Sequence, residues 1–344
     1  SITTIRSIKA SASRNSCVAS RNPNKPSALG RLRMKKTQFR FPRRTVDGIL
    51  LLDKPGGLTS NEALQKVRNL FKAEKAGHTG ALDPLATGVL PFCLGEATKV
   101  AGLLLGNDKA YETVAALGST TDTDDADGQT LLSRQVDDYS DERIQQVLSA
   151  FIGDIQQVPP IYSALKQGGE PLYVKARRGE TLDLPARPVH IRSITLLDRT
   201  TSTLRLSVVC GSGTYIRSLV RDIGEQLGCG AHVASLRRTW VQPFEGSRLW
   251  TLDELRELAE QGLEALDAQL MPVETGLSSL PKVHLDADQA RRIGMGQKIQ
   301  LPKPEAAESM VQLSDQAGRC LGLATMDEEG RLKVQRLFRW ASVC

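Results

Sequence analysis

The sequence predicts an α+β protein: a large mixed domain followed by a small β-rich one. Three observations carry this. Apolar stretches of strand length alternate their side chains, as in Tyr111, Thr113, Ala115 and Leu117 and in Leu204, Leu206, Val208 and Cys210. Capped amphipathic helical segments stand between such stretches. From about Leu280 the helical texture gives way to short segments punctuated by Gly and Pro, ending in Gly330 to Arg339. A length of 344 residues suits one large and one small domain.

Residues 1–46 have no hydrophobic period and read as a disordered basic leader. They hold twelve Lys or Arg and no Asp or Glu. The rest of the chain has 33 basic and 39 acidic residues, a net of −6, although the whole is +6. If the body binds RNA, it must do so through local patches. The leader's make-up resembles an organellar transit peptide. The other reading starts the protein at Met34 with a short basic arm, in which Lys35, Lys36, Arg40, Arg43 and Arg44 contact RNA phosphate.

Gly48 to Leu52 reads as a buried strand ending in the turn Asp53–Gly57, where Lys54 is expected in solvent. Thr59 and Glu62 form a capping box that opens an amphipathic helix with Leu64, Val67, Leu70 and Phe71 inward. The next stretch, Gly77 to Gly95, is GHTGALDPLATGVLPFCLG. Its single carboxylate, Asp83, stands among Gly, Pro and small apolar residues, five residues after His78. Asp83-Pro84 has the make-up of a helix start; the alternative is that Asp83 is a chemical group. The strand of Tyr111 follows. The acidic run Thr121 to Gly128 fails the EF-hand pattern, because Ala126 takes the fifth position from Asp122 and position twelve lacks a carboxylate. A solvated loop remains.

A helix is expected from Ser140 to Gly153, with Ile144, Val147, Leu148 and Phe151 buried. Residues 161–188, with Lys175, Arg177 and Arg178, read as a polar basic segment too long for an idle loop. The strand Leu204–Cys210 leads through a glycine-flanked turn into a helix with Ile216, Leu219, Val220, Ile223 and Leu227 on its apolar face. Arg217 lies off that face, where a surface pair with Asp222 or Glu225 is the simple reading. Thr251 and Glu254 make a second capping box for a helix to about Gln261. Six scattered cysteines without a C-x-x-C pair argue against zinc and disulfides, and for a reducing compartment. A zinc-dependent base deaminase lacks its ligands here. No apolar run has the length of a bilayer span.

The Gly77–Gly95 stretch resembles the catalytic motif of the TruB family of pseudouridine synthases, which isomerise a uridine in the T arm of tRNA. The resemblance runs from about Asp47 to Arg339. It includes Asp53–Gly57, Lys109-Ala110-Tyr111, Gly211–Leu219 and Gly228–Thr239. It implies a pseudouridine synthase catalytic domain over 47–270, with a mixed, largely antiparallel central sheet and an RNA-gripping insertion at about 161–188. A small C-terminal β-barrel, a PUA-like RNA-binding domain, would occupy 280–344.

By the same resemblance Asp83 is the catalytic residue, acting as nucleophile on a flipped-out uridine-55, and Arg217 is its cationic partner. The arginine is expected to hold the carboxyl's pKa down. Tyr111 and Tyr215 would lie against the target base, Leu236 would pack on it, and His78 would stack or wedge where the base leaves. Arg237 or Arg238 could hold phosphate. His232 reads as structural. The expected partner is the T-arm stem-loop of tRNA, with no cofactor, metal, membrane or obligatory protein partner, in a cytoplasmic monomer. Two rivals are a guide-RNA-dependent synthase of the dyskerin type and an RNA-folding chaperone.

Overall fold

The computed structural model describes residues 42–163, 165–178, 184–302 and 309–343. The leader through residue 41, with Lys35, Lys36 and Arg40, lies outside the described residues. So do Ala164 and 179–183 of the expected insertion.

The first half of the chain contains β1 (Gly48–Lys54), α1 (Ser60–Leu70), β2 (Ala76–His78), β3 (Thr87–Leu94), α2 (Ala101–Leu104), β4 (Lys109–Leu117), β5 (Ser119–Thr121), β6 (Thr130–Ser133), α3 (Asp141–Ser149) and β7 (Gly153–Gln157). It continues with β8 (Lys166–Gln167), β9 (Glu170–Pro171), α4 (Leu172–Arg177), β10 (Arg187–Arg199), β11 (Thr203–Cys210), α5 (Ile216–Leu227), β12 (Ala231–Val241), α6 (Leu252–Gln261) and α7 (Leu263–Asp267). The central sheet runs β1-β3-β12-β4-β11-β10-β7, with β2 added on β3. Only β3 and β12 pair in parallel within it. Gly88 makes that pairing possible: at φ +98° it faces Arg238, and a Cβ there would stand 2.1 Å from the Arg238 carbonyl oxygen.

Helices cover one face of this sheet. Leu64 and Val67 of α1, Ile144 and Val147 of α3, Leu219 and Ile223 of α5, and Leu255 of α6 form one core with Leu50, Leu52, Tyr111, Ala115, Leu206 and Val208. β1 is apolar at every position from Ile49 to Leu52 because both its faces are covered. Leu50 and Leu52 face these helices. Ile49 and Leu51 belong to a second core with Val89, Cys320, Leu323 and Phe338.

The capping boxes at Thr59–Glu62 and Thr251–Glu254 are both formed. Asp83-Pro84, by contrast, begins no helix. The Asp83 carbonyl accepts from the Ala86 amide at 3.1 Å, closing a turn that leads into β3. Strand β10 was not legible as a strand, because register shifts at Ile191/Ser193 and Leu196/Asp198 break its alternation. The described part of 161–188 is not structureless. It holds the β8–β9 hairpin and α4, with Arg178 paired to Glu170 at 2.7 Å. Arg43 and Arg44 are also not free for phosphate. Arg44 forks onto Asp267 at 2.5 and 2.6 Å, and Arg43 donates to the Arg68 carbonyl and Asn69.

The C-terminal part contains β13 (Lys282–His284), α8 (Ala287–Gly294), β14 (Ser309–Ser314), β15 (Cys320–Met326) and β16 (Leu332–Leu337). This part is β-rich as expected, and it also holds α8, which opens with an Asp286–Gln289 capping box. Its strands follow the linear order β13-β14-β15-β16, and barrel closure is not among the described pairings. No helix among the described residues is long and apolar enough to cross a membrane.

Candidate active site

Asp83 sits in the irregular segment between β2 and β3, and that segment is clamped from two sides. On one side Lys54 ends β1 fully buried, against the expectation of a solvated turn lysine. Its ammonium donates to the carbonyls of Pro55 at 2.9 Å, Leu58 at 2.6 Å and Pro84 at 3.4 Å. Burial pulls its pKa down to about 8, against the attraction of Asp83 and Glu62. Ser60, at the start of α1, both accepts from the Leu82 amide and donates to the Leu82 carbonyl. On the other side Arg238 of β12, also fully buried, donates to the carbonyls of Val89 at 2.7 Å and Gly80 at 2.9 Å. These bonds place the Asp83 carboxylate without using it.

The carboxylate itself meets Arg217. Nε lies 2.9 Å from Asp83 Oδ2, in a pair whose carboxylate is 41% exposed and whose guanidinium is 5% exposed. The surface pairing of Arg217 is therefore corrected: Asp222 pairs with Arg221, and Glu225 with Arg134. Arg217 donates through Nη1 and Nη2 to the carbonyls of Thr123 and Tyr162, each at 2.9 Å, with Asp125 3.8 Å away. One turn on, Arg221 binds Asp124 at 3.0 Å and the Val158 carbonyl at 3.0 Å.

The acidic run is thus no solvated loop. Asp125 is buried and takes hydrogen bonds from Thr123 Oγ1 and the Asp127 amide. It packs the back of Arg217 with a second carboxylate. The expected pKa effect is corrected as well. Burial pushes the Asp83 carboxyl above its ordinary value and Asp125 adds to this, so Arg217 offsets the rise only in part.

Asp83, Tyr111, Tyr215, Arg217 and Leu236 line one cavity of about 420 Å³. Tyr215 precedes α5 in extended conformation, so no helical rotation separates its direction from that of Arg217. Gln157, at the end of β7, holds it by accepting from the Tyr215 amide at 2.8 Å and donating to its carbonyl at 3.1 Å. Tyr111 and Leu236 project from adjacent strands, opposite Arg238 and Thr113 respectively. Lys109 adds a cation to the wall. Its ammonium donates to the Leu105 and Asn107 carbonyls, and burial pulls its pKa down to about 8.

His78 is the expected site residue that the cavity wall does not include. It ends β2 half-buried; burial and the Arg238 charge both push its pKa down. His232 bonds Ser119, as a structural histidine would. Arg237 forks onto Asp53 at 2.9 Å. A second hollow of about 560 Å³, beyond the Asp53–Gly57 turn, contains that pair and Arg256, itself paired with Asp253. It offers no carboxylate set against an apolar wall. Sequence reasoning missed Lys54, Lys109, Asp125 and Gln157. A lysine two positions after four buried apolar residues, with only Asp53 between, was the one local signal available.

A carboxylate beside a buried arginine, in an aromatic-walled hollow on a largely antiparallel mixed sheet, fits a base-modifying enzyme. Comparison with known families agrees. Residues 68–216 match the TruB family pseudouridylate synthase N-terminal domain. Residues 217–278 match the tRNA pseudouridylate synthase B C-terminal domain, and 281–338 match the pseudouridine synthase II TruB C-terminal family. The protein named tRNA pseudouridine synthase B of Xanthomonas campestris pv. campestris (strain 8004) is 56% identical over 299 residues, 87% of this chain and 96% of that one. Its namesake in Stutzerimonas stutzeri (strain A1501) is 52% identical over 88% of this chain and 99% of that one. Among solved structures, the Cbf5–Nop10–Gar1 complex matches with a TM-score of 0.67 and 28% identity, covering 86% of each chain. An H/ACA RNP bound to a substrate RNA containing 2′-deoxyuridine matches at 0.66 and 26%, again covering 86% of each. The chain belongs to the TruB family of pseudouridylate synthases.

Proposed function

We propose that this protein converts uridine-55 in the T arm of tRNA to pseudouridine, with Asp83 as the nucleophile. The observation that carries this is the Asp83–Arg217 pair at the edge of a cavity walled by Tyr111, Tyr215 and Leu236. The reaction breaks the C1′–N1 bond, turns the uracil and forms C1′–C5; the C5 hydrogen leaves as a proton and N1 gains one. No atom is lost and no electron changes hands, so the chemistry calls for no cofactor. Asp83 in its ionised form attacks C1′ or C6. Arg217 keeps that form available and, being nearly fully buried, shows the substrate only the carboxylate.

The aromatic and leucine walls hold the base while it turns. Flipping it out of the loop costs a few kcal/mol, recovered by stacking and backbone contacts. His78, outside the cavity wall, is assigned to the approach, where its ring fills the stack that the uridine leaves. The insertion at 161–188 grips the stem-loop, and the unit beyond residue 280 adds RNA-binding surface. Relatives named for tRNA, aligned along nearly their whole length, support a tRNA substrate; the protein acts on it alone, as a monomer. The more distant likeness to the H/ACA assemblies keeps the guided enzyme as its rival.

Release of tritium from uracil C5 tests the proposal, using purified protein, a T-arm stem-loop or whole tRNA, and Asp83→Asn alongside. Release by the wild type alone supports the reading. No release from either RNA would leave the guided enzyme or the chaperone.

A further inference from the structure

The Asp83 loop and the Tyr111 ring come from different strands, yet they must meet one nucleotide at a fixed separation. One side chain stands beside both. Arg238 stands directly opposite Tyr111 on β12, and both line the cavity. Direct partners on antiparallel neighbours project to the same face, so the Arg238 guanidinium and the Tyr111 phenol stand side by side; burial raises the phenol's pKa and the guanidinium works against that rise. The same guanidinium donates through Nη2 to the carbonyl of Gly80, three residues before Asp83, and through Nε to Val89. Among the described residues no carboxylate pairs with Arg238, so its charge is not spent on an ion pair. Gly80 fits this arrangement. It lies at φ +73°, and a Cβ there would stand 3.4 Å from Arg238 Nη1 and 3.5 Å from Lys109 Cε.

We propose that Arg238 is a positioning residue: its guanidinium ties the Tyr111 hydroxyl to the backbone of the Asp83 loop and so sets the stacking ring against the carboxylate. Its full burial also removes it from the phosphate role considered for it from sequence. A planar fork reaches several acceptors in fixed directions, which a lysine ammonium on a flexible stem does not. The inference rests on the reading that Asp83 and Tyr111 act on the same nucleotide.

The test combines Arg238→Lys, Arg238→Gln and Tyr111→Phe, singly and as doubles. In steady-state tritium release, each Arg238 variant is expected to lower kcat by about ten- to a hundredfold, the scale of a misplaced reacting group, with KM for the stem-loop nearly unchanged. In the Tyr111→Phe background the same substitutions should cost clearly less, because coupled residues are not additive; what remains is the Asp83 loop's own loss of the Gly80 and Val89 bonds. Full additivity, or a loss confined to KM, overturns the proposal. Phenolate absorbance titration of the free protein reads the contact without turnover. The titration step that Tyr111→Phe removes should move to higher pH in Arg238→Gln, which lacks the cation.

That measurement separates two failures. A wild type that releases no tritium sinks the synthase reading, whereas an unmoved phenol sinks the Arg238 contact. If both Arg238 variants lose a cooperative melt, Tyr111→Phe alone carries the test, since it removes the hydroxyl and leaves the guanidinium and the Asp83 loop in place. It should lower kcat with KM for the stem-loop nearly unchanged; a wild-type kcat in Tyr111→Phe overturns the proposal.

Discussion

Arginine is used in opposite ways in the two parts of this molecule. Beyond residue 280, Arg291, Arg319 and Arg331 each reach a carboxylate three or four positions away, and each is at least half-exposed. Solvent screens such pairs, and they hold little in place. Arg217 and Arg238 are buried, and they bind mostly carbonyl oxygens from segments far off in sequence. The first kind decorates a surface. The second fixes irregular backbone that no sheet or helix ladder could hold. Buried cations are costly unless every donor finds an acceptor, so their presence marks where the fold supports chemistry.

The contrast breaks first at Asp83. Asp83→Asn should lower kcat by about 10⁴-fold or more, as loss of a nucleophile does, while binding of the stem-loop persists. It should not lower the melting temperature. Because burial raises the folded-state pKa, the unfolded chain releases this proton first, and the charged carboxylate opposes folding at neutral pH. That stability returns as pH falls through the raised folded value. A clear drop in melting temperature for Asp83→Asn would show that the carboxylate supports the fold instead.

Arg217→Met comes next. It strands buried Asp125 and two carbonyls, and unfolding by urea should report a loss of about 3–5 kcal/mol along with the activity. The third effect is on pH dependence. The acid limb of kcat should lie above the ordinary aspartate range, and Asp125→Asn should move it to lower pH by removing a like charge. A limb that stays put would detach Asp125 from the site.

Lys54→Met is a milder probe of the same buried class. It removes three carbonyl contacts, for a loss of about 1–3 kcal/mol. Since the folded Lys54 pKa is about 8, below the ordinary lysine value of 10.5, the unfolded state binds the extra proton between those values. The wild type should therefore gain stability relative to Lys54→Met as pH rises through that window. At the bottom of the scale, Arg331→Ala should leave the melting temperature and the activity within experimental scatter.

The regular parts of the fold were legible because their signals are local. Thr59 with Glu62 and Thr251 with Glu254 announce their helices, and the alternation at Tyr111–Leu117 announces its strand. Strand β10 was not legible, since a register shift moves its apolar residues from one face to the other in mid-strand. Of the site, the resemblance supplied Asp83, Arg217, Tyr111, Tyr215 and Leu236, and all five meet at one cavity. Its supports stayed hidden for a physical reason. Each is a polar residue whose burial is completed by a group from far along the chain: the Pro84 carbonyl for Lys54, Arg217 for Asp125, and the Tyr215 backbone for Gln157. No spacing in the chain encodes those encounters, so an acidic run that buries Asp125 reads like any solvated loop.

The alternation along β1 has a consequence for how this chain could have changed over evolutionary time. Ile49 and Leu51 share a core with Cys320, Leu323 and Phe338, while Leu50 and Leu52 serve the helices. Lys99 and Glu96 add bonds to the Leu337 carbonyl and the Arg339 amide. Recombination that replaced the C-terminal segment with an unrelated one would bare an apolar face on β1, whose last residue is Lys54. The outer surface of that segment is free to drift. Its inner surface is inherited together with the catalytic strands, so the two ends of the gene must descend as one.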